Sequence, residues 1–360
     1  MMKGVYEKPI SLALSGGGVR AMVFHLGVLK YLSEQSYLER VNRISTVSGG
    51  SLVAGLIFKE AGMIWPSSEQ FISKVYPTLR SKLCNRNMQL GILLQLLKPW
   101  NFKYLLSRAN LLSLELKMGW GLTEKLSDLP KTPEWSINGT TAENGKRFRF
   151  KRNNLGDYKL GYASSDGFCL SDALAVSAAF PGGIGPLSIK AGKFKWKRKQ
   201  SWDSDSEPEN VTHSFKYIHL YDGGVYDNLG LEPFFDVGKR VSKHNDDLIV
   251  ASDAGMPLTQ GFSMFSISPW RLKRIMDIIH DQTRSLRVRT FVDYLQQEKL
   301  LGAYIYIGMS VLENEKCQSR EFASNYPTTL RQVTKKDFDL ISDHGYKVAQ
   351  KTDLEYGLAG

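Results

Sequence analysis

Apolar runs of strand length alternate with stretches of helical spacing along most of the chain. Residues 9–14, Pro-Ile-Ser-Leu-Ala-Leu, read as a buried first strand, because near-continuous apolar runs belong to strands covered on both faces. Ala21 to Gln35 follows, with apolar residues at Phe24, Val28, Leu29 and Leu32, close to a helical period. A second β-branched run, Ile44 to Val47, ends at Ser48 and leads into a helix from Leu52 to Ala61. Residues 67–126 read as helical and connecting. Within the polar, turn-rich stretch 130–166, strands are expected over 134–138 and 147–151. Ser171 to Phe180 is a short helix of small residues, capped by Ser171 and stopped by Pro181. The remainder reads as a strand at Asp247–Ser252, a basic helical region up to about Leu301, a strand at 303–309 and a helix around 335–351. Strand, turn and helix in repetition predict an α/β fold in which successive βα turns emerge at one edge of a parallel sheet. No clear linker or internal repeat interrupts the 360 residues, so a single domain with insertions is expected.

Two segments break the alternation. Residues 88–116 are rich in leucine and aromatics, among them Leu90, Leu93, Leu94, Leu97, Trp100, Phe102 and Leu105, with few charges beyond Lys98, Lys103 and Arg108. Pro99 divides this stretch into two short amphipathic helices. They are either a buried pair or a lid, acyl-chain pocket or interfacial element with its lysines at lipid headgroups. Lys190 to Lys199 alternates basic and apolar residues. After an acidic loop with Asp203, Asp205, Glu207 and Glu209, a second strand runs from Val211 to Tyr221. This basic hairpin, 188–221, either presents lysines that keep an edge strand from pairing or forms a patch for anionic lipid headgroups.

Charge sharpens the second alternative. The net charge is +11 and the pI about 9.3, which favours an anionic partner: nucleic acid, acidic lipid or a phosphorylated small molecule. Basic residues interleaved with aromatics also suit single-stranded nucleic acid. No zinc-finger, RRM or helix-turn-helix signature is present, so a nucleic-acid partner is not expected. No uncharged apolar run is long enough to span a bilayer, and the N-terminal residues lack the apolar region of a signal peptide. Cys84, Cys169 and Cys317 lie far apart, which argues for a reducing compartment and against a disulfide framework or zinc site. The expected location is the cytoplasm.

The chemistry gathers at three turns. Ser48 stands where a β-branched run meets a helix, followed by Gly49 and Gly50. A serine there is exposed at the sheet edge beside the free N–H groups of a helix start, the position of a nucleophile. It can also be no more than an N-cap. Thr46 occupies the first glycine position of a Gly-x-Ser-x-Gly elbow. Ser15-Gly16-Gly17-Gly18-Val19-Arg20 joins the first strand to the first helix. Its amides can hold a phosphate or a developing oxyanion, and it matches neither a P-loop nor the dinucleotide fingerprint. Both turns face one crevice if the sheet is parallel. Asp222 ends a strand and precedes Gly223 and Gly224, so its carboxylate either reaches a neighbouring strand end or only shapes its own turn. For a Ser-His-Asp triad of the ordinary α/β-hydrolase order, only His244, His280 or His344 could join Asp222.

Together, Ser15-Gly16-Gly17-Gly18-Val19-Arg20, Thr46-Val47-Ser48-Gly49-Gly50, Ala178-Ala179-Phe180-Pro181 and Asp222-Gly223-Gly224 with Asn228 resemble the patatin-like lipid acyl hydrolases, over roughly residues 8–255. The resemblance implies a three-layer α/β/α sandwich with a mainly parallel central sheet. It implies a Ser-Asp dyad without histidine, with Ser48 as nucleophile and Asp222 as base. Gly16, Gly17, Gly18 and Gly49 would supply oxyanion-hole amides, and Arg20 would pair with a lipid phosphate. No cofactor and no metal are implied. The expected function is a phospholipase A-type serine acyl hydrolase, docked peripherally on anionic phospholipid membrane by the 88–116 segment and the hairpin. An activator or a second copy of the chain stays open as a partner. The alternative is a non-catalytic binding module for a phospho-ligand or anionic lipid on the same fold. For residues 256–360 the resemblance implies nothing.

Overall fold

The computed structural model describes residues 8–105, 107–181, 183–199, 207–244, 247–258, 260–262, 269–311 and 318–358, without the side chains of 269–273. Cys317, and Asp203 and Asp205 of the acidic loop, lie outside the described residues. In chain order, β1 (Ile10–Leu14) runs through the glycine loop into α1 (Gly18–Glu34), and β2 (Val41–Thr46) runs through Ser48 into α2 (Gly49–Glu60). A helical excursion follows: α3 (Tyr76–Asn85), α4 (Met88–Leu96), a 3-10 segment (Pro99–Tyr104) and α5 (Ala109–Met118). The chain then builds an antiparallel meander of β3 (Glu134–Thr141), β4 (Arg147–Phe150), β5 (Asn154–Asp157) and β6 (Gly161–Ser164). After α6 (Leu170–Ser177) come β7 (Leu187–Lys190), β8 (Trp196–Arg198), β9 (Glu209–Val211) and β10 (Tyr217–Asp222). The last elements used below are α7 (Gly224–Asp227), β11 (Leu248–Asp253), α8 (Pro269–Leu295), β12 (Gly302–Tyr306) and α9 (Lys335–Tyr356).

These strands make one mixed sheet. β12, β11, β1, β2 and β3 lie side by side and parallel. Beyond β3 the sheet continues antiparallel through β4, β5, β6, β8 and β9. The central strands are buried on both faces, which explains their apolar runs. Leu12, Leu14, Leu248, Val250, Ala303 and Ile305 pack into the core shared with α1, α2 and α9. The alternate positions Ala13, Ile249, Ala251 and Tyr304 face the opposite side, against Leu229, Leu231 and Phe235 and against Phe291, Tyr294 and Leu295 of α8. This is the α/β/α layering that the sequence resemblance implied.

The C-terminal extension is part of that layering. α9 is capped by Thr334, whose hydroxyl accepts from the Asp337 amide at 3.1 Å, and it ends at Gly357 in the left-handed region. It packs against α1 so closely that a Cβ on Gly27 would stand 1.9 Å from the Ser342 carbonyl oxygen, and one on Gly345 would stand 2.4 Å from that of Phe24. Tyr31 and Tyr37 donate to Asp353 of α9 at 2.8 and 3.2 Å.

Two local expectations change. α6 starts at Leu170 with Cys169 at its N-cap position, two residues before the expected cap, so Ser171 falls inside its first turn and cannot cap it; its buried hydroxyl has no partner among the described residues. The hairpin is interrupted by a 3-10 turn at Ala191–Lys193, and its second arm does not stay outside: β10 pairs with β7 and also with β3 of the central sheet. Trp196 points inward and is buried, while Lys195, Lys197 and Lys199 are exposed. β5 and β6 went unread in the sequence because they are short and polar.

Gly27→Ala tests the helix contact. The added methyl meets backbone, which cannot swing aside, so α1 and α9 must separate. Chemical denaturation is expected to show a loss of about 1–3 kcal/mol.

Candidate active site

β3 is the template that assembles the site. Along one of its edges it pairs first with β2, Thr46 opposite Ile137, and then with antiparallel β10, Asp222 opposite Gly139. The C-terminal ends of β2 and β10 therefore meet head to head, two β3 residues apart, about 7 Å. Just past those ends, the Ser48 hydroxyl comes close enough to the Asp222 carboxylate to favour its charged form.

Ser48 stands at the N-cap position of α2 but does not cap it with its side chain. Its side chain makes no cap hydrogen bond, and its backbone sits at φ 50°, ψ −119°. A non-glycine residue in that region is strained, and such strain persists where the surroundings impose it. The Ser48 amide donates to both the carbonyl (3.1 Å) and the hydroxyl (3.0 Å) of Ser177. The Ser177 hydroxyl lies 2.8 Å from that of Ser51, which lies 2.7 Å from that of Thr46, which accepts from the Trp135 indole at 2.9 Å. Asn138 donates to the Thr46 carbonyl at 3.0 Å. The Thr46 side chain is thus built into a buried chain of hydroxyls and does not project at the turn.

The glycine loop closes the site from β1. Gly17 and Gly18 have φ of 147° and 60°, which side-chain-bearing residues avoid. A Cβ on Gly49 would fall 2.3 Å from the Gly18 carbonyl oxygen, so the two turns pack backbone to backbone. Among the described residues the amides of Gly17, Gly18 and Gly49 have no hydrogen-bond partner. Gly16 differs from expectation: its amide donates to the Asn228 carbonyl at 3.1 Å, so it is not free to receive an oxyanion. Asn228 stands between the loop and the Asp222 turn, its Oδ1 being 2.3 Å from the Cβ position of Gly16 and 2.8 Å from that of Gly224.

Arg20 is also corrected. It is fully buried, donating from Nε to the Ala254 carbonyl (3.1 Å) and from Nη1 to that of Tyr326 (2.7 Å), so it cannot meet a lipid phosphate. Burial pulls its pKa down to about 10. Its work is to tie the start of α1 to the loop after β11. His25 has a similar role. Burial lowers its pKa to about 4, so the neutral ring donates from Nε2 to the Ser15 carbonyl (3.0 Å) and accepts at Nδ1 from Ser252 (2.8 Å).

Asp222 is almost completely buried, and its pKa is pushed up to about 7 by that burial, against the opposing pull of the Gly224 amide, which donates to it at 2.7 Å, and of the nearby Ser48 hydroxyl. Its own amide donates to the Ala179 carbonyl at 3.1 Å, and its carbonyl accepts from Thr140 at 2.8 Å. Among the described residues no histidine bonds Ser48 or Asp222. His219 pairs with Glu143 at 2.7 Å, and His344 with the Ile307 carbonyl at 2.7 Å. A triad is not assembled.

Beside the site, Phe180 follows Ala179 and is half exposed. The 88–116 segment is not a buried pair. Leu90, Leu93, Leu94, Leu97, Trp100, Phe102 and Leu105 are all more than half exposed, Leu97 and Trp100 by 72% and 70%. Its end is pinned to the chain that follows Phe180, Ser107 donating to the Pro186 carbonyl at 2.5 Å.

Sequence reasoning did not single out Ser177, Trp135 or Asn138 for the site. The small residues of 171–180 signalled close packing, but nothing marks which serine among them faces the elbow.

The family model described as patatin-like phospholipase matches residues 12–235. Among solved structures, human GIVD cytosolic phospholipase A2 is similar, at 12% identity, a TM-score of 0.55, and coverage of 98% of this chain and 62% of that one. The same human protein in complex with methyl gamma-linolenyl fluorophosphonate is similar at 14% identity, a TM-score of 0.50, and coverage of 97% and 59%. This chain spans about three-fifths of their length. At such identities the likeness is one of fold. Comparison with curated proteins returns no match. The matched span takes in the glycine loop, the Ser48 turn and the Asp222 turn, and the chain belongs to the patatin-like phospholipase family.

Proposed function

We propose that this chain is a phospholipase A-type serine acyl hydrolase that cleaves acyl esters of membrane phospholipids. The observation that carries the proposal is the approach of the Ser48 hydroxyl to the Asp222 carboxylate at a strained strand-to-helix turn, beside the amides of Gly17, Gly18 and Gly49, which have no partner among the described residues. Ser48 Oγ attacks the ester carbonyl as Asp222 takes its proton. The carbonyl oxygen, now anionic, accepts from the glycine amides. Asp222 returns the proton to the departing lysolipid oxygen, leaving the acyl group on Ser48. Water then attacks the acyl-enzyme, its proton passing to Asp222, and the fatty acid leaves as Ser48 is reprotonated. A lone carboxylate is a weak base for a hydroxyl, so the amides matter greatly; one such donor is worth about 3–4 kcal/mol.

Substrate arrives from a membrane surface. The exposed Leu, Trp and Phe residues of 90–105, bordered by Lys98, Lys103 and Arg108, have the composition of an interfacial element. Among the described residues no helix is long and apolar enough to cross a membrane. Peripheral docking from the cytoplasmic side, favoured by anionic lipid, fits these features.

Fatty-acid release from mixed phospholipid vesicles tests the dyad. Ser48→Ala and Asp222→Asn are each expected to abolish release while circular dichroism stays unchanged. Release surviving Asp222→Asn would refute the role given to Asp222. The same variant reports on stability. A carboxyl with a raised folded pKa favours the fold while protonated, and that contribution is lost as pH rises from about 4 through about 7. Asp222→Asn removes the buried charge and is expected to stabilise the protein at pH 8 by up to roughly 4 kcal/mol.

Only ionised Asp222 accepts a proton. kcat/KM is therefore expected to rise with pH through an apparent pKa near 7, on the acid limb of the profile. A limb near pH 4 would place the base elsewhere.

Replacing Leu97, Trp100 and Phe102 together by serine is expected to lower turnover on vesicles at least ten-fold while leaving a soluble short-chain ester almost unaffected. Equal losses on both substrates would show that the segment serves the pocket rather than the membrane.

A further inference from the structure

We infer that the hollow between the two arms of the basic hairpin binds the phosphate monoester headgroup of a membrane lipid. The inference rests on the proposed action at membranes and adds a second lipid site, separate from the one that is cleaved.

The hollow measures about 360 Å³ and is lined by Lys190, Gly192 and Lys193 from the first arm and by His213, Ser214, Phe215 and Lys216 from the second. Its walls are held by backbone. β7 pairs with β10 from Lys190 opposite Tyr217, the Ala191 amide donates to the Lys216 carbonyl at 3.0 Å, and the Trp196 indole donates to the Ala191 carbonyl at 2.9 Å. Beneath lies an aromatic stack. His213 lies parallel to Phe215, with ring centroids 4.9 Å apart, and meets Trp196 edge-on at 5.6 Å. The rim is different in kind. Lys190, Lys193, Lys216 and the Ser214 hydroxyl are all exposed, and among the described residues none of the three lysines is paired with a carboxylate. Three lysines lining one opening over a fixed floor favour a compact ligand of more than one negative charge. A phosphate monoester is such a group.

Position selects the lipid source. Pro186, whose carbonyl holds Ser107 at the end of the exposed apolar segment, is four residues before Lys190. At about 3.3 Å per strand residue the hollow lies about 13 Å from that anchor. A separation that short lets a headgroup held there belong to the same leaflet that the apolar segment is proposed to enter. A free phosphate would gain nothing from that neighbourhood.

The full chain carrying Ser48→Ala, which cannot consume lipid, is compared with and without the added changes Lys190→Gln, Lys193→Gln and Lys216→Gln. Binding is measured to phosphatidylcholine vesicles containing phosphatidic acid or phosphatidylserine at matched surface charge. The parent is expected to prefer the phosphatidic acid vesicles. The triple change is expected to weaken that binding roughly a hundred-fold and to erase the preference. A control triple on α9, Lys335→Gln, Lys336→Gln and Lys347→Gln, is expected to cost far less. Equal losses in the two triples, or no preference in the parent, would overturn the site in favour of diffuse charge. Competition by millimolar glycerol 3-phosphate as effective as the vesicles themselves would overturn the lipid source. Hydrolysis of a soluble ester by the Ser48-intact chain with the same three lysine changes is expected to be unchanged. That hydrolysis, present or absent, decides the catalytic proposal independently of the vesicle result.

Discussion

The site depends on one constraint: a carboxylate must be kept out of water without a cation to neutralise it. A hydroxyl nucleophile paired with histidine has a base that is already suited to neutral pH. Asp222 has only burial to lift it there, and burial is costly unless the frame is rigid. That frame is β3. By pairing with β2 and β10 end to end on one edge, it fixes the separation of the two strand ends, so Ser48 and Asp222 meet in a spot already closed by Ala179, Gly223 and Thr140. The Gly224 amide offsets part of the cost by donating to Asp222, leaving a carboxylate that titrates near pH 7.

A second buried carboxylate at the same sheet edge shows what the alternative looks like. Asp253, at the end of β11, is also fully buried, which alone would raise its pKa. Arg284, donating through Nε at 2.9 Å, and Tyr304, at 2.6 Å, bring it below the ordinary value instead. Asp253 is therefore charged where Asp222 titrates, and through Arg284 it holds α8 against the sheet. The two aspartates are equally dry, and the presence or absence of a guanidinium divides them into a structural ion and the proposed base. Arg20 belongs with the structural group. Its buried guanidinium serves backbone carbonyls, and its position next to the glycines is what made it look like a ligand residue in the sequence.

The features most legible in the sequence were those carried by local backbone demands. A buried strand, three glycines and a helix start can be read in the run from Pro9 to Val19, and a serine-bearing strand-to-helix elbow in Thr46 to Gly50, because turn geometry is written in neighbouring residues. Asp222 was legible for the same reason. What the sequence withheld depends on distant partners. Gly16 looks as available as Gly17, and only the fold brings the Asn228 carbonyl onto its amide. Met88 to Leu116 has the composition of either a core or a surface, and exposure is a property of what the rest of the chain covers. α9 gave no functional signal because its contribution is a packing contact with α1, made through Gly27 and Gly345 and decided by tertiary geometry.

The elbow itself follows from the same balance of local and distant forces. A strained serine costs about 1–3 kcal/mol, and in elbows with glycine two residues before the nucleophile the chain has backbone freedom to spare. Here Thr46 removes that freedom. Its compensation is chemical: a hydroxyl that joins Trp135 and Ser51, and through Ser51 reaches the Ser177 hydroxyl on which the Ser48 amide rests. Each buried hydrogen bond contributes on the order of 1 kcal/mol, enough in combination to hold the strained turn. Ser177 lies on α6, and two residues beyond it Ala179 receives the amide of Asp222. One short helix end thus braces both members of the pair. Its small residues, Ala178 and Ala179 among them, are what let it approach both strand ends at once.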